Sequence, residues 1–188
     1  NLWIIRLFAP YIGKKILEIG SGIGNLTYYL KHFGDLSCVD ISEYYLAHMR
    51  IDFPDITFYQ IDVSDDKIKS LEKERYDTIV CVNVLEHVAD DLKALTNMRV
   101  ILPPGGRLLL YVPALPLLYG SVDKNLRHYR RYGKKNLETI LLRAGFSIEK
   151  LFYSNFIALF GWFFNSKVQR KKELSCWQTR GRVYSSRK

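Results

Sequence analysis

Short apolar runs and amphipathic stretches succeed one another regularly after residue 14. Residues 16–19 (ILEI) predict a buried strand, which runs into Gly20-Ser21-Gly22-Ile23-Gly24, and residues 25–32 then take helical spacing. Residues 36–41 (LSCVDI) predict a second strand, followed by a helix over 42–51 with Ser42 as its cap. The alternation of 56–61 (ITFYQI) predicts a third strand, and 65–73 a polar helix. Residues 76–84 (YDTIVCVNV) are almost continuously apolar, the mark of a strand buried on both faces of a parallel sheet. A helix over 90–102 is stopped by Pro103-Pro104-Gly105-Gly106, and a fifth strand follows at 107–112. A helix over 136–144 that Gly145 can cap, then a sixth strand over 146–153, complete the pattern. Before all of these, residues 2–8 predict a short helix ending ahead of Pro10. Strands joined by helical crossovers predict an α/β fold, a doubly wound, mostly parallel sheet with helices on both faces. Ligands of such sheets bind at the carboxyl ends of the strands.

The glycine turn lies at such an end. Glycines let the chain pass sharply from strand to helix and let a ligand approach the backbone without meeting a Cβ. A dinucleotide fingerprint, GxGxxG, would need glycine at 25, where Asn25 stands. The chain reads instead Glu18-x-Gly20-x-Gly22-x-Gly24, with an acid inside the strand. That carboxylate opposes a pyrophosphate and suits a cationic ligand. S-adenosylmethionine, with an ammonium, a sulfonium and no phosphate, matches the charge. Asp40 closes the second strand, where an acid can accept hydrogen bonds from both ribose hydroxyls.

These residues resemble the class I S-adenosylmethionine-dependent methyltransferases, over residues 14 to about 153. The resemblance implies that Asp62, after the third strand, meets the adenine amino group, with Ile41 and Val63 beside the two acids. The fourth strand ends in Asn83-Val84-Leu85-Glu86-His87-Val88, similar to the small-molecule branch that includes the quinone-biosynthesis methyltransferases. There the backbone from Asn83 to Leu85 lines the methionine end of the cofactor. The implied cofactor set is Glu18, Gly20, Gly22, Gly24, Asp40, Ile41, Asp62, Val63, Asn83 and Leu85. The family's sheet closes with an antiparallel seventh strand, for which Val183-Tyr184 is a poor candidate.

The acceptor side is expected in residues 112–135, a long stretch taken out of regular structure by Pro113 and Pro116. Within it, the segment from Asp123 to Tyr132 resembles a methyltransferase branch found with sugar-transferring and cell-envelope pathways, whose His-x-Arg-Arg-Tyr-like motif reads here His128-Tyr129-Arg130-Arg131-Tyr132. Tyr129, Arg130, Arg131 and Tyr132 are the candidate substrate-binding residues, the arginines as clamps for a phosphate or carboxylate. A hydroxyl acceptor needs a proton acceptor, and His87 and His128 are the candidates. No metal-ligand spacing stands out.

Composition narrows the setting. At 188 residues, 48% hydrophobic and 25% charged, the chain reads as one globular domain over residues 1–153 with a further segment over 154–188. Cys38, Cys81 and Cys176 lack paired spacing, which favours a reducing, cytoplasmic setting. The opening, from Asn1, lacks a basic leader or cleavage site and is not read as a signal peptide. The net charge of +9 is concentrated at 124–135 and 167–188, which suits an anionic partner. Residues 156–164 (FIALFGWFF), too short to span a bilayer at about 20 apolar residues, precede four basic residues and suit a membrane surface through 156–172. The leading expectation is methyl transfer to a small or lipid-linked acceptor, at oxygen. RNA methylation and a non-catalytic cofactor-binding module are the alternatives. Nucleic-acid bases are disfavoured, because Asn83 is not followed by a Pro-Pro-aromatic turn and Cys81 has no Pro before it.

Overall fold

The computed structural model describes residues 2–154. Five parallel strands form one sheet in the order β3-β2-β1-β4-β5: β1 (Lys15–Ile19), β2 (Asp35–Asp40), β3 (Thr57–Gln60), β4 (Thr78–Val82) and β5 (Arg107–Tyr111). Pairing in register sets Glu18 between Cys38 and Val80, and Ile19 between Val39 and Cys81. The order reverses at β1, which opens a crevice at the carboxyl ends of β1 and β4.

Alternation along β1 divides the core. Leu17 and Ile19 face α4 (Asp91–Ile101) and α6 (Lys134–Arg143), whose Leu95, Met98, Leu137 and Leu141 pack with them. Ile16 faces the other way, towards Ile5 of α1 (Leu2–Phe8) and Leu30 of α2 (Thr27–Leu30). Helices thus cover both faces, as the apolar spacing predicts. The helix α3 (Glu43–Asp52) starts at Ser42, whose hydroxyl accepts from the Tyr45 amide at 3.4 Å.

Three expectations change. The polar helix at 65–73 is a 3-10 helix over Asp66–Glu74, capped by Asp65, with only Ile68 and Leu71 buried. The helix after the glycine turn is a single α-helical turn, because Gly24 and its left-handed backbone delay the start to Thr27. The sixth strand at 146–153 is absent. Phe146, Ile148 and Leu151 pack onto the core, but a cleft of about 340 Å³ lies between this segment and β5, so no ladder forms. The apolar stretch at 156–164, the membrane-surface contact through 156–172, Cys176 and the Val183-Tyr184 candidate lie outside the described residues. Among the described residues no helix is long and apolar enough to cross a membrane.

Candidate active site

The glycine turn carries the β1–β2 ladder one step further, with Gly20 and Ser21 amides both donating to Val39 O. Gly20, Gly22 and Gly24 all have positive φ, at 76°, 53° and 83°. They differ in what a side chain would meet. A Cβ on Gly20 would strike Val84, and one on Gly24 would strike Met49 Sδ at 2.7 Å, whereas one on Gly22 would meet nothing within 4 Å. Gly22 therefore faces open space. Beside it the Ser21 hydroxyl is buried without a partner. Asp40 ties the turn to β2, its Oδ2 accepting from the Gly22 amide at 2.8 Å and its Oδ1 from the Ser42 amide at 2.9 Å. Ile23 and Ile41, 69% and 66% exposed, flank this end as uncovered apolar surface.

Glu18 lies behind the turn. It is 2% exposed, accepts a 2.6 Å hydrogen bond from Thr27 and meets Cys38 Sγ at 3.5 Å. Burial pushes its carboxyl up from 4.5 to about 7. At the end of β3, Asp62 Oδ1 accepts from both the amide and the hydroxyl of Ser64, so it shapes a turn. Val63 is buried, its carbonyl accepting from Asn97.

Past β4 the backbone is held open by Asn83, with φ of 53°, whose amide donates to Tyr111 O at 2.9 Å. A 3-10 turn, Leu85–His87, follows. The excursion from Pro113 to Tyr132 folds back on this turn. Its two ends meet at an Ala114–Tyr132 bridge, and the Tyr129 amide donates to Glu86 O at 2.8 Å. The two histidines are brought together, ring centroids 4.6 Å apart and edge to face. Burial, and then the neighbouring His128, lower the pKa of His87.

The His-x-Arg-Arg-Tyr segment divides in two. Tyr132 is buried and its hydroxyl bridges Leu85 O and Asp91 Oδ2. Arg131 is 9% exposed and gives its Nε to Asp123 at 2.7 Å and its Nη1 to Ala114 O at 3.1 Å. Arg130 pairs with Asp91 at 2.7 Å and remains at the rim, and Tyr129 is exposed. The residue that organises the segment is Asp123, in α5 (Ser121–Asn125), with a side chain 0% exposed. It accepts from the Gly120 amide, Arg131 Nε and His128 Nδ1. Sequence reasoning did not single out Asp123. The one signal was an acid five residues before a histidine in a segment lacking regular structure.

A family model described as a methyltransferase domain matches residues 3–151. A ubiquinone biosynthesis O-methyltransferase of Coxiella burnetii is 28% identical over 122 residues, 62% of this chain and 47% of that protein. The chain thus spans about half the length of that relative. An S-adenosylmethionine-dependent methyltransferase of Mesorhizobium loti has the same fold, with a TM-score of 0.62 at 20% identity over 78% of this chain and 80% of that one. So does the N-methyltransferase NodS of Bradyrhizobium japonicum, solved with S-adenosylhomocysteine, with a TM-score of 0.58 at 22% identity over 75% and 70% of the two chains.

Proposed function

The chain belongs to the methyltransferase-domain family, and from that premise we propose that it transfers a methyl group from S-adenosylmethionine to a small-molecule acceptor, at oxygen. When bound, that cofactor supplies a methyl group on a positively charged sulfur, which an oxygen takes as it loses its proton. The residues at the carboxyl ends of β1 and β2 fit the cofactor. The observation that carries this is the cradle itself: open space at Gly22, an unpartnered Ser21 hydroxyl and the Asp40 carboxylate stand side by side. Asp40 would hold the ribose, with Ile41 and Ile23 against the nucleoside and Asp62 and Val63 at the adenine end. Gly20, Gly24, Asn83 and Leu85 would shape the methionine end, and Glu18 would add negative charge from below. Alignment of two reacting partners is worth about 7–11 kcal/mol, so binding and orientation are most of the work.

The acceptor end is the wall made by the 3-10 turn Leu85–His87 and the excursion that closes on it. His87 and His128 serve the step in which the acceptor hydroxyl loses its proton. Tyr129 and Arg130, at the rim, meet the acceptor, whereas Arg131 and Tyr132 hold the wall in place. Relatives named as ubiquinone biosynthesis O-methyltransferases support an oxygen acceptor, small or lipid-linked. The test is calorimetric titration with S-adenosylhomocysteine, followed by labelled S-adenosylmethionine with quinol and lipid-linked sugar acceptors. Binding with alkali-stable label on a hydroxyl supports the proposal. Binding with label found only in RNA or on nitrogen overturns the acceptor assignment, and absence of binding overturns the whole.

A further inference from the structure

Glu86, His87 and His128 each bring one donor atom within 4.8 Å of the others. The first two belong to the turn after β4, and the third to the far side of the excursion between β5 and α6. Two further observations separate this group from a chance meeting. Glu86 is 1% exposed, and its Oε2 is buried without a hydrogen-bond partner. A bare carboxylate oxygen in the interior is costly unless a cation meets it. Next, Asp123 accepts from Nδ1 of His128 at 3.0 Å. That bond sets the tautomer and leaves the lone pair on Nε2, the arrangement that carboxylates impose on metal-binding imidazoles.

We propose that Glu86, His87 and His128 bind one divalent transition-metal ion, with Asp123 orienting the His128 ligand. Two imidazole nitrogens and a carboxylate suit Zn²⁺, Fe²⁺ or Co²⁺, while Mg²⁺ and Ca²⁺ favour oxygen alone. Bond lengths of about 2.0–2.2 Å require donors about 3.5 Å apart, so the group must tighten. His87, on the exposed side of the turn, is the ligand whose side chain must move for this. Three protein ligands leave a coordination position for an oxygen donor. This inference rests on the acceptor end assigned above and specifies how the hydroxyl is held there. Coordination would make the O–H bond more acidic, the proton passing to water, and the oxygen pair would form the new bond to the methyl carbon as the C–S bond breaks and its pair leaves on the sulfur of S-adenosylhomocysteine.

The experiment titrates the metal-stripped 188-residue chain with Zn²⁺ alone, and separately with Co²⁺, whose visible absorption reports nitrogen and oxygen ligands in tetrahedral array. One equivalent of Zn²⁺ binds. His87→Ala, His128→Ala and Glu86→Gln each weaken it by at least about tenfold, and Asp123→Asn by about 10–100-fold. S-adenosylhomocysteine binding by the histidine variants stays near the parent value, which shows that they fold. No stoichiometric binding at micromolar Zn²⁺, or an affinity that all three ligand variants leave unchanged, overturns the proposal. A parent chain that binds Zn²⁺ but not S-adenosylhomocysteine would sink the cofactor reading and leave this site standing.

Discussion

Gly22 and Gly24 share a left-handed backbone, yet alanine should expose two different roles. At Gly24 the new methyl meets Met49 and Phe53 inside the fold. Gly24→Ala is expected to destabilise the chain by about 1–3 kcal/mol, read as a lower Tm. At Gly22 the methyl enters open space, so Gly22→Ala should cost less stability but abolish most S-adenosylhomocysteine affinity by calorimetry. Asp40→Ala should weaken that affinity by roughly tenfold or more, since hydrogen bonds to a charged group contribute about 1.5–3 kcal/mol. Unchanged affinity would remove Asp40 from the ribose. Glu18 gives a pH signature. Burial raises its folded pKa from 4.5 to about 7, so the folded chain binds the extra proton in that window and stability falls as pH rises through it. Glu18→Gln should lessen that slope of the Tm profile, leaving the share of Glu86, whose pKa burial also raises to about 7. The glycines and Asp40 are legible in the sequence because turn geometry and strand ends are local. Asp123 is not, because its bond from the Gly120 amide looks like any acid near a helix start, and His128 and Arg131 meet it only when the chain after α5 turns back in a way no periodicity marks.

At the scale of elements, the strands are legible because burial on both faces leaves continuous apolar runs. The segment at 146–153 shows why that signal fails at an edge: its apolar residues find the core without entering the sheet. The 3-10 helix Asp66–Glu74 is held by more than its own periodicity. Asn97 of α4 reaches across and donates to Val63 O at 2.9 Å and Asp65 O at 3.2 Å, on either side of the turn that starts it. Asn97→Ala leaves the Val63 carbonyl unpaired in the interior, while Asp65 O keeps its bond from the Ile68 amide, and should cost about 1–3 kcal/mol in denaturant unfolding. An unchanged midpoint would mean that water or a neighbour replaces the amide.

At the scale of the molecule, the sheet order puts the glycine turn and the imidazole pair at adjacent strand ends, β1 and β4. The excursion after β5 is what closes that region. Its Tyr129 and Tyr132 amides, and that of His128, are all hydrogen-bonded, to Glu86 O, Pro113 O and Asp123 O. Those amides should exchange slowly with deuterium, on the scale of core strands. Asp123→Ala should quicken exchange across 113–132 and leave β1 and β4 unaffected. Fast exchange there in the parent chain would contradict the hydrogen bonding described. The buried anchor has a kinetic corollary: a side of the chamber stapled this firmly is masonry and not a door. On the acceptor assignment proposed above, traffic of reactants and products passes elsewhere, and a fixed outline sets the breadth of molecules accepted.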